Sequence, residues 1–148
     1  MSGAPLVEVS EDPPQEAYLQ LWEVLKAFNV KAVGDCENRP YTILLRDPET
    51  RRIIGGLWAR SIWGSFFVDM LVAPEGQRGS GLGSKMLTDA IAEAEARACD
   101  NIWLDTFAFQ ARPFYERHGF RVFGQIEGGH KAFPRYFMIR DLRSDQKN

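Results

Sequence analysis

The sequence has little net charge and no long apolar run. Its 148 residues include 18 basic and 20 acidic side chains, for a formal net charge of −2. Nucleic-acid-binding domains carry an excess of Lys and Arg, so this balance disfavours nucleic acid as a partner. No apolar run approaches the roughly 20 residues that span a bilayer, and the first residues resemble no secretory signal. We therefore expect a cytoplasmic protein that binds neither nucleic acid nor membrane.

Cysteine is also scarce. Cys36 and Cys99 lie far apart in the sequence and lack the close spacing of metal ligands. We therefore expect no metal site, and we expect both thiols to be reduced, as in a cytosolic protein. The apolar content of 45% and charged content of 26% are ordinary for a globular protein. At this length they predict a single domain over residues 1–148.

Hydrophobic periodicity predicts a mixed α/β order of elements. Residues 6–11 alternate as a half-buried strand does, and apolar residues at helical spacing predict a helix from Gln15. The segment after this helix, residues 32–40, is either a second short helix or a loop. The remaining predicted elements are strands at 41–47, 52–62 and 66–73, a helix at 83–98, a strand at 101–108, a short helix ended by Gly119, and strands at 121–126 and 135–142.

A glycine-rich loop, "QRGSGLGSKML" at residues 77–87, leads directly into a predicted helix. Glycines let a ligand approach the backbone, and the free N–H groups of a helix start favour an anion, most often a phosphate. A nucleoside-triphosphate loop is excluded, because counting from Gly79 puts Ser84 where that motif needs its last glycine. A dinucleotide-binding loop fits poorly for the same reason. A plain strand-to-helix turn is the structural alternative.

Three motifs together resemble the GNAT superfamily (GCN5-related N-acetyltransferases). "RGSGLG" at 78–83 matches the R-x-x-G-x-G loop that binds acetyl-coenzyme A in that family, and "PFYERHGF" at 113–120 is similar to its second signature. The run "LVAPEGQRGSGLG" resembles its strand-to-loop pattern, with Ala73 where the family usually carries valine. The resemblance extends from about residue 18 to residue 142.

The resemblance implies a fold and an activity. The fold is a mostly antiparallel central sheet of six to seven strands, with a parallel pair at the cofactor cleft and about four flanking helices. The activity is direct transfer of the acetyl group of acetyl-CoA to a primary amine of a small molecule or peptide. The alternative on the same fold is a non-catalytic acyl-CoA-binding module. A homodimer is compatible with the sequence.

The resemblance also assigns parts of coenzyme A to particular residues. The pyrophosphate is expected on backbone N–H groups at the helix N-terminus, and the pantetheine arm along the preceding strand. An asparagine that often binds cofactor in the family is replaced by Ala108, for which Gln110 is a candidate substitute. The cofactor-binding residues implied are Leu71, Val72, Ala73, Arg78, Gly79, Ser80, Gly81, Leu82, Gly83 and Ser84.

Two residues are expected to be catalytic. The family's tyrosine corresponds to Tyr115, whose phenol, with an ordinary pKa of about 10, can protonate the departing thiolate at neutral pH. Asp69 occupies the position where many relatives carry a glutamate base. An acid within an apolar run is costly unless it is paired or used, so its alternative is a salt bridge to a neighbouring strand or the capping of a turn. Asp105 is a weaker candidate base.

For several other polar and aromatic residues, the sequence does not separate a functional role from a structural one. His118, in the last turn of the short helix, is expected to cap that helix or lie at the surface rather than act as a base. His130 is expected as a surface residue, although it could reach a substrate. Six residues that could contact an acceptor are also compatible with core packing or a solvated loop: Trp22, Asp35, Glu37, Trp58, Trp63 and Phe66.

Overall fold

The computed structural model describes residues 3–77, 79–128 and 133–143, and the chain divides after Cys36 into two compact units. In the first unit, helix α1 spans Ala17–Val33, as predicted, but none of its residues is buried. The strand predicted over 6–11 is wrong, because these residues form neither helix nor strand. Alternation marks the side chains that could be buried, whereas a strand forms only where its N–H and C=O groups have a partner.

The second unit contains the sheet, and its elements lie within a few residues of their predicted positions. The segment left open at 32–40 contains the end of α1 and a loop. The described residues therefore hold three helices, where the resemblance implied about four. The elements are β1 (Arg39–Arg46), β2 (Ile53–Ile62), β3 (Ser65–Val72), α2 (Leu82–Ala96), β4 (Asn101–Phe107), α3 (Arg112–Arg117), β5 (Arg121–Ile126) and β6 (Arg135–Asp141).

The six strands form one mixed sheet in the order β1-β2-β3-β4-β6-β5. Only β3 and β4 are parallel, so the expected antiparallel sheet with one parallel pair is confirmed. These two strands share three register pairs, from Ser65–Asn101 to Phe67–Trp103, and do not pair beyond them. A gap therefore separates the second half of β3 from the second half of β4.

A β-bulge changes the direction of side chains halfway along β3. The extra residue is Asp69, which has no partner on β2, whereas its neighbours Val68 and Met70 do. Before the bulge, Phe66 and Val68 are buried; after it, Leu71 packs against the core. Because a shift of one residue exchanges the two faces of a strand, the bulge leaves Asp69 and Met70 both exposed.

The core lies between α2 and one face of the sheet. The predicted apolar stripe of α2 is mostly confirmed, although Leu82 is only half-buried and Ala98 is exposed beyond the end of the helix. Phe66, considered for an acceptor pocket, is fully buried in this core, and both cysteines are buried and free. Within the described ranges, no helix has the length and apolar character needed to cross a membrane. The buried residues of α2 are Met86, Leu87, Ala90, Ile91 and Ala94.

A buried arginine joins the C-terminal end of α2 to the sheet. The side chain of Arg97 is 8% exposed, and its Nε donates to Glu93 Oε1 at 2.7 Å. Its other nitrogens donate to the Ser61 hydroxyl at 3.0 Å and to the carbonyl oxygens of Arg39 at 2.8 Å and Pro40 at 3.1 Å. A guanidinium has five N–H donors, so this single side chain holds α2 to both β1 and β2.

Replacing Arg97 with alanine is therefore expected to lower the free energy of unfolding by about 1 to 3 kcal/mol, because the buried Ser61 hydroxyl and the half-buried Glu93 carboxylate lose their donor. The matched control is Lys85→Ala, which removes an i,i+4 pair of the same helix with 71% and 44% exposed side chains. Exposed pairs contribute about 0.5 kcal/mol. Urea denaturation measures both; equal losses would contradict the role given to Arg97.

Candidate functional site

The N-terminus of α2 has backbone N–H groups without a cap. Its N-cap residue is Gly81, at φ 82°, and neither a side-chain cap nor an acidic residue occurs in the first turn. The first helical hydrogen bond runs from the Lys85 N–H to the Gly81 carbonyl. The N–H groups of Gly83 and Ser84 therefore have no partner among the described residues. Free N–H groups at the positive end of a helix form a site for an anion.

The loop before α2 leaves this site open. The backbone N–H and the hydroxyl of Ser80 both donate to the Gln77 carbonyl, at 3.2 and 2.6 Å, which folds the loop back on itself. Gly79 has φ 83°, and no atom lies within 4 Å of where Gly79 or Gly81 would carry a Cβ. The backbone is thus accessible to a ligand, as predicted for a phosphate loop. Arg78, the predicted basic residue, lies outside the described residues.

The end of β3 directs backbone groups into the gap beside β4. The Val72 carbonyl oxygen lies 2.6 Å from the position of a Cβ on Gly55, so it faces β2. Successive residues of a strand direct their N–H and C=O groups to opposite sides. Those of Leu71 and Ala73 therefore face the gap, where β4 does not pair with them. Of the three predicted backbone residues, Val72 alone faces away from the gap.

Tyr115 lies in α3 with its ring buried. The ring is 7% exposed and packs against Phe114 and Phe120, with centroids 5.2 and 5.9 Å apart. Burial, aided by the negative charge of Asp105, raises the pKa of Tyr115 to about 12, so the phenol stays protonated at neutral pH. Its hydroxyl has no hydrogen-bond partner among the described residues. Asp105, whose charge contributes to this shift, lies on β4 beyond the three residues that pair with β3.

The two candidate bases have different environments. Asp69, the bulge residue, is exposed, and its carboxylate forms neither an ion pair nor a hydrogen bond with any residue that the structure describes. The salt bridge considered as its alternative role is therefore not found among the described residues, and the bulge turns the side chain to solvent. Asp105 accepts a hydrogen bond from Arg135 Nε at 2.9 Å. Its charge is thus balanced, whereas that of Asp69 is not.

His118 joins α3 to α2, a contact that the sequence did not predict. Its Nδ1 lies 2.8 Å from the Phe114 carbonyl oxygen, so the predicted capping of α3 is found. Its Nε2 lies 2.7 Å from the Ser84 hydroxyl, in the first turn of α2. The other predicted histidine, His130, lies outside the described residues.

The side chain of Gln110 forms hydrogen bonds with the end of β4. Its Oε1 accepts hydrogen bonds from the Phe107 N–H at 2.7 Å and the Thr106 hydroxyl at 3.2 Å, which closes the turn after β4. The amide oxygen suggested as a substitute cofactor contact is therefore already engaged. Trp58 and Trp63, two of the aromatic residues considered for the acceptor, are about half exposed.

Comparison with known proteins identifies the family of this chain. A family model described as the acetyltransferase (GNAT) family matches residues 5–120. The acetyltransferase Atu2258 of Agrobacterium fabrum is 31% identical over 118 residues, which cover 80% of this chain and 85% of the relative. Blasticidin-S acetyltransferase of Streptomyces morookaense is 34% identical over 99 residues, 64% of this chain and 70% of the relative.

A solved structure extends the similarity to almost the whole chain. The crystal structure of a protein described as an acetyltransferase of Agrobacterium tumefaciens superimposes with a TM-score of 0.83 at 27% identity. The superposition covers 93% of this chain and 100% of the Agrobacterium chain. The family match spans the phosphate loop, β3 and Tyr115, so it includes each part of the site described above. The chain belongs to the GNAT family and is an acetyltransferase that takes its acetyl group from acetyl-CoA.

Proposed function

We propose that this enzyme acetylates a primary amine of a small molecule by direct transfer, with Tyr115 as acid and Asp69 as base. The observation that carries the proposal is the gap between β3 and β4. There, unpaired backbone groups, a protonated phenol and an unpaired carboxylate all belong to adjoining elements. The name of the Streptomyces relative, an acetyltransferase of blasticidin S, supports a small-molecule acceptor.

The proposed cofactor contacts use the backbone. The free N–H groups within residues 79–84, those of Gly83 and Ser84 among them, would hold the pyrophosphate, because α2 lacks both a side-chain cap and a first-turn carboxylate that would repel it. Leu71 and Ala73 would pair with the pantetheine amides in the manner of an added strand. Valine at position 73 is dispensable on this account, since a backbone contact does not depend on the side chain.

Tyr115 would act as the general acid. Bound acetyl-CoA supplies an acyl group activated as a thioester. As the amine nitrogen forms its bond to the acyl carbon and the bond to sulfur breaks, the Tyr115 phenol donates its proton to the departing sulfur. Its high pKa favours this role, because the proton is present throughout the physiological range. Backbone N–H groups at the end of β3 would stabilise the negative charge on the carbonyl oxygen.

Asp69 would remove the proton that the amine must lose, directly or through a water molecule. Its carboxylate is exposed and lacks a cationic partner among the described residues, whereas Asp105 is bound to Arg135. The Arg135 guanidinium occupies the Asp105 carboxylate, which is thus less free to contact an amine. Asp69 is therefore the better candidate, and a cation-carrying acceptor would also be attracted to it.

Neither cysteine supports a covalent acyl-enzyme as the alternative. Burial raises the pKa of the Cys99 thiol, which disfavours the nucleophilic thiolate. Cys36 is buried as well. Direct attack by the amine needs no protein nucleophile.

The first test is thiol release from acetyl-CoA with a panel of primary amines that includes blasticidin S, spermidine and a peptide with a free N-terminus. Amine-dependent release is expected, and Tyr115→Phe should lower kcat by about 10- to 1,000-fold because the acid is lost. Tyr18→Phe, at an exposed position of α1, is the matched control. Binding of CoA without release for any amine would contradict the proposal and favour a binding module.

Asp69→Asn should lower kcat/KM by about 10- to 100-fold at neutral pH. The loss should shrink as pH rises, because more of the free amine is then already deprotonated. Glu95→Gln, at an exposed position of α2, removes the same charge elsewhere and should leave the rate unchanged. A loss in Asp69→Asn that is equal at every pH would argue against its role as base.

The acid role also predicts the ionisation of Tyr115. Ultraviolet titration of wild type against Tyr115→Phe should show that the missing phenol ionises near pH 12, because burial and the charge of Asp105 disfavour the phenolate. Asp105→Asn should lower that pKa by removing the charge. Ionisation near the ordinary value of about 10 would contradict the buried position of the ring.

A further inference from the structure

A chain of two hydrogen bonds links the phosphate end of α2 to the helix that carries Tyr115. Ser84 is the third residue of α2 and lies in its first turn. Its hydroxyl is 2.7 Å from Nε2 of His118, whose Nδ1 is 2.8 Å from the Phe114 carbonyl oxygen. Phe114 directly precedes Tyr115, so the chain ends at the backbone beside the proposed acid.

The direction of these bonds follows from the acceptor at their end. A carbonyl oxygen can only accept, so Nδ1 of His118 carries a proton. In the neutral ring Nε2 is then an acceptor, and the Ser84 hydroxyl donates to it. If the ring were protonated, Nε2 would donate to the Ser84 oxygen instead, and the link would persist. In the neutral form the Ser84 hydroxyl proton is engaged, so Ser84 would contribute its backbone N–H to a phosphate.

Phe114 and His118 also form the packing contact at this end of the helices. A Cβ on Gly83 would lie 3.7 Å from the ring of Phe114, and that ring lies 4.7 Å from the ring of His118. Among the described residues, the Ser84–His118 bond is the one side-chain hydrogen bond between α2 and the α3 segment. Its loss would therefore leave the two helices joined here by apolar contact alone.

We propose that His118 is a positioning residue, which acts through Ser84 to hold Tyr115 at a fixed distance from the phosphate site at the start of α2. The inference rests on the proposed function of Tyr115 and α2. A cofactor whose phosphates bind at one helix places its sulfur at a set distance, so the acid on the other helix must be held to match. A misplacement of about 1 Å can cost up to about 100-fold in rate.

The test uses Ser84→Ala and His118→Phe, with Ser84→Thr as the conservative variant that keeps the hydroxyl. Thr88→Ala, which removes an exposed hydroxyl one turn further along α2, is the matched control. Three properties are measured: kcat with acetyl-CoA and the best amine of the panel, the Kd for CoA by calorimetry, and the ultraviolet titration of Tyr115 with CoA bound.

Ser84→Ala and His118→Phe are each expected to lower kcat by about 10-fold, while the Kd for CoA changes by less than about 3-fold. The double variant should lose no more than either single one, because both break the same link. In a Tyr115→Phe background neither should lower kcat further. The pKa of Tyr115 should fall from about 12, and Ser84→Thr should restore both kcat and this pKa.

Three results would overturn the proposal. Unchanged kcat and Tyr115 titration with a lower melting temperature would leave the link a purely structural contact. Weaker CoA binding at unchanged kcat would mean that the Ser84 hydroxyl itself binds phosphate. Additive losses with Tyr115→Phe would show that His118 acts independently of the acid. If no amine is acetylated by wild type but the titration shift is observed, the proposed function fails while the positioning of Tyr115 stands.

Discussion

Main-chain N–H and C=O groups must be paired, and the separation of β3 from β4 leaves a set of them without a strand partner. The two strands pair over three residues and then diverge, so the groups of Leu71 and Ala73 face a gap. A ligand that completes the strand pairing is the natural occupant of such a gap. The cofactor of a GNAT enzyme has an amide-containing arm that can do so, and the rest of the site is arranged around this opening.

The bulge at Asp69 lies where the two strands part. It exchanges the faces of β3, so that Leu71 continues the core while Asp69 is turned out of it. An apolar strand can therefore carry an exposed carboxylate at the edge of the gap. At the end of the same strand the chain turns into α2, whose uncapped N-terminus favours the phosphates. One strand thus contributes both the proposed base and the path to the proposed phosphate site.

Local patterns in the sequence predicted most of the fold. The apolar stripe of α2 and the strands of the second unit follow from spacings of a few residues, and the family follows from short motifs. The roles given to the glycine-rich loop and to Tyr115 come from the resemblance and stay predictions. The bulge could not be predicted, because "FFVDMLV" has the same composition with or without an extra residue. Neither could Arg97 or His118, whose partners Ser61 and Ser84 are distant in the sequence.

The same limitation explains the one strand that was wrong. The segment at 6–11 has the alternation of a strand, yet pairing depends on a partner that alternation does not specify. The environment of Asp69 has the same origin, because its neighbours in sequence are apolar whereas the bulge sets its neighbours in space. Both features depend on interactions between segments, which a single sequence pattern does not encode.

Two backbone sites, the loop before α2 and the end of β3, are proposed to bind different parts of one cofactor. Amide chemical shifts in a ¹⁵N-labelled sample, titrated separately with ADP and with pantetheine, would test both sites at once. ADP should move the amides of residues 79–84, pantetheine should move those of Leu71 and Ala73, and CoA should move both groups. Two results would contradict the two proposed sites: either ligand changes only the amide shifts of the β1–β2 turn, or ADP and pantetheine both change the shifts of the same amides.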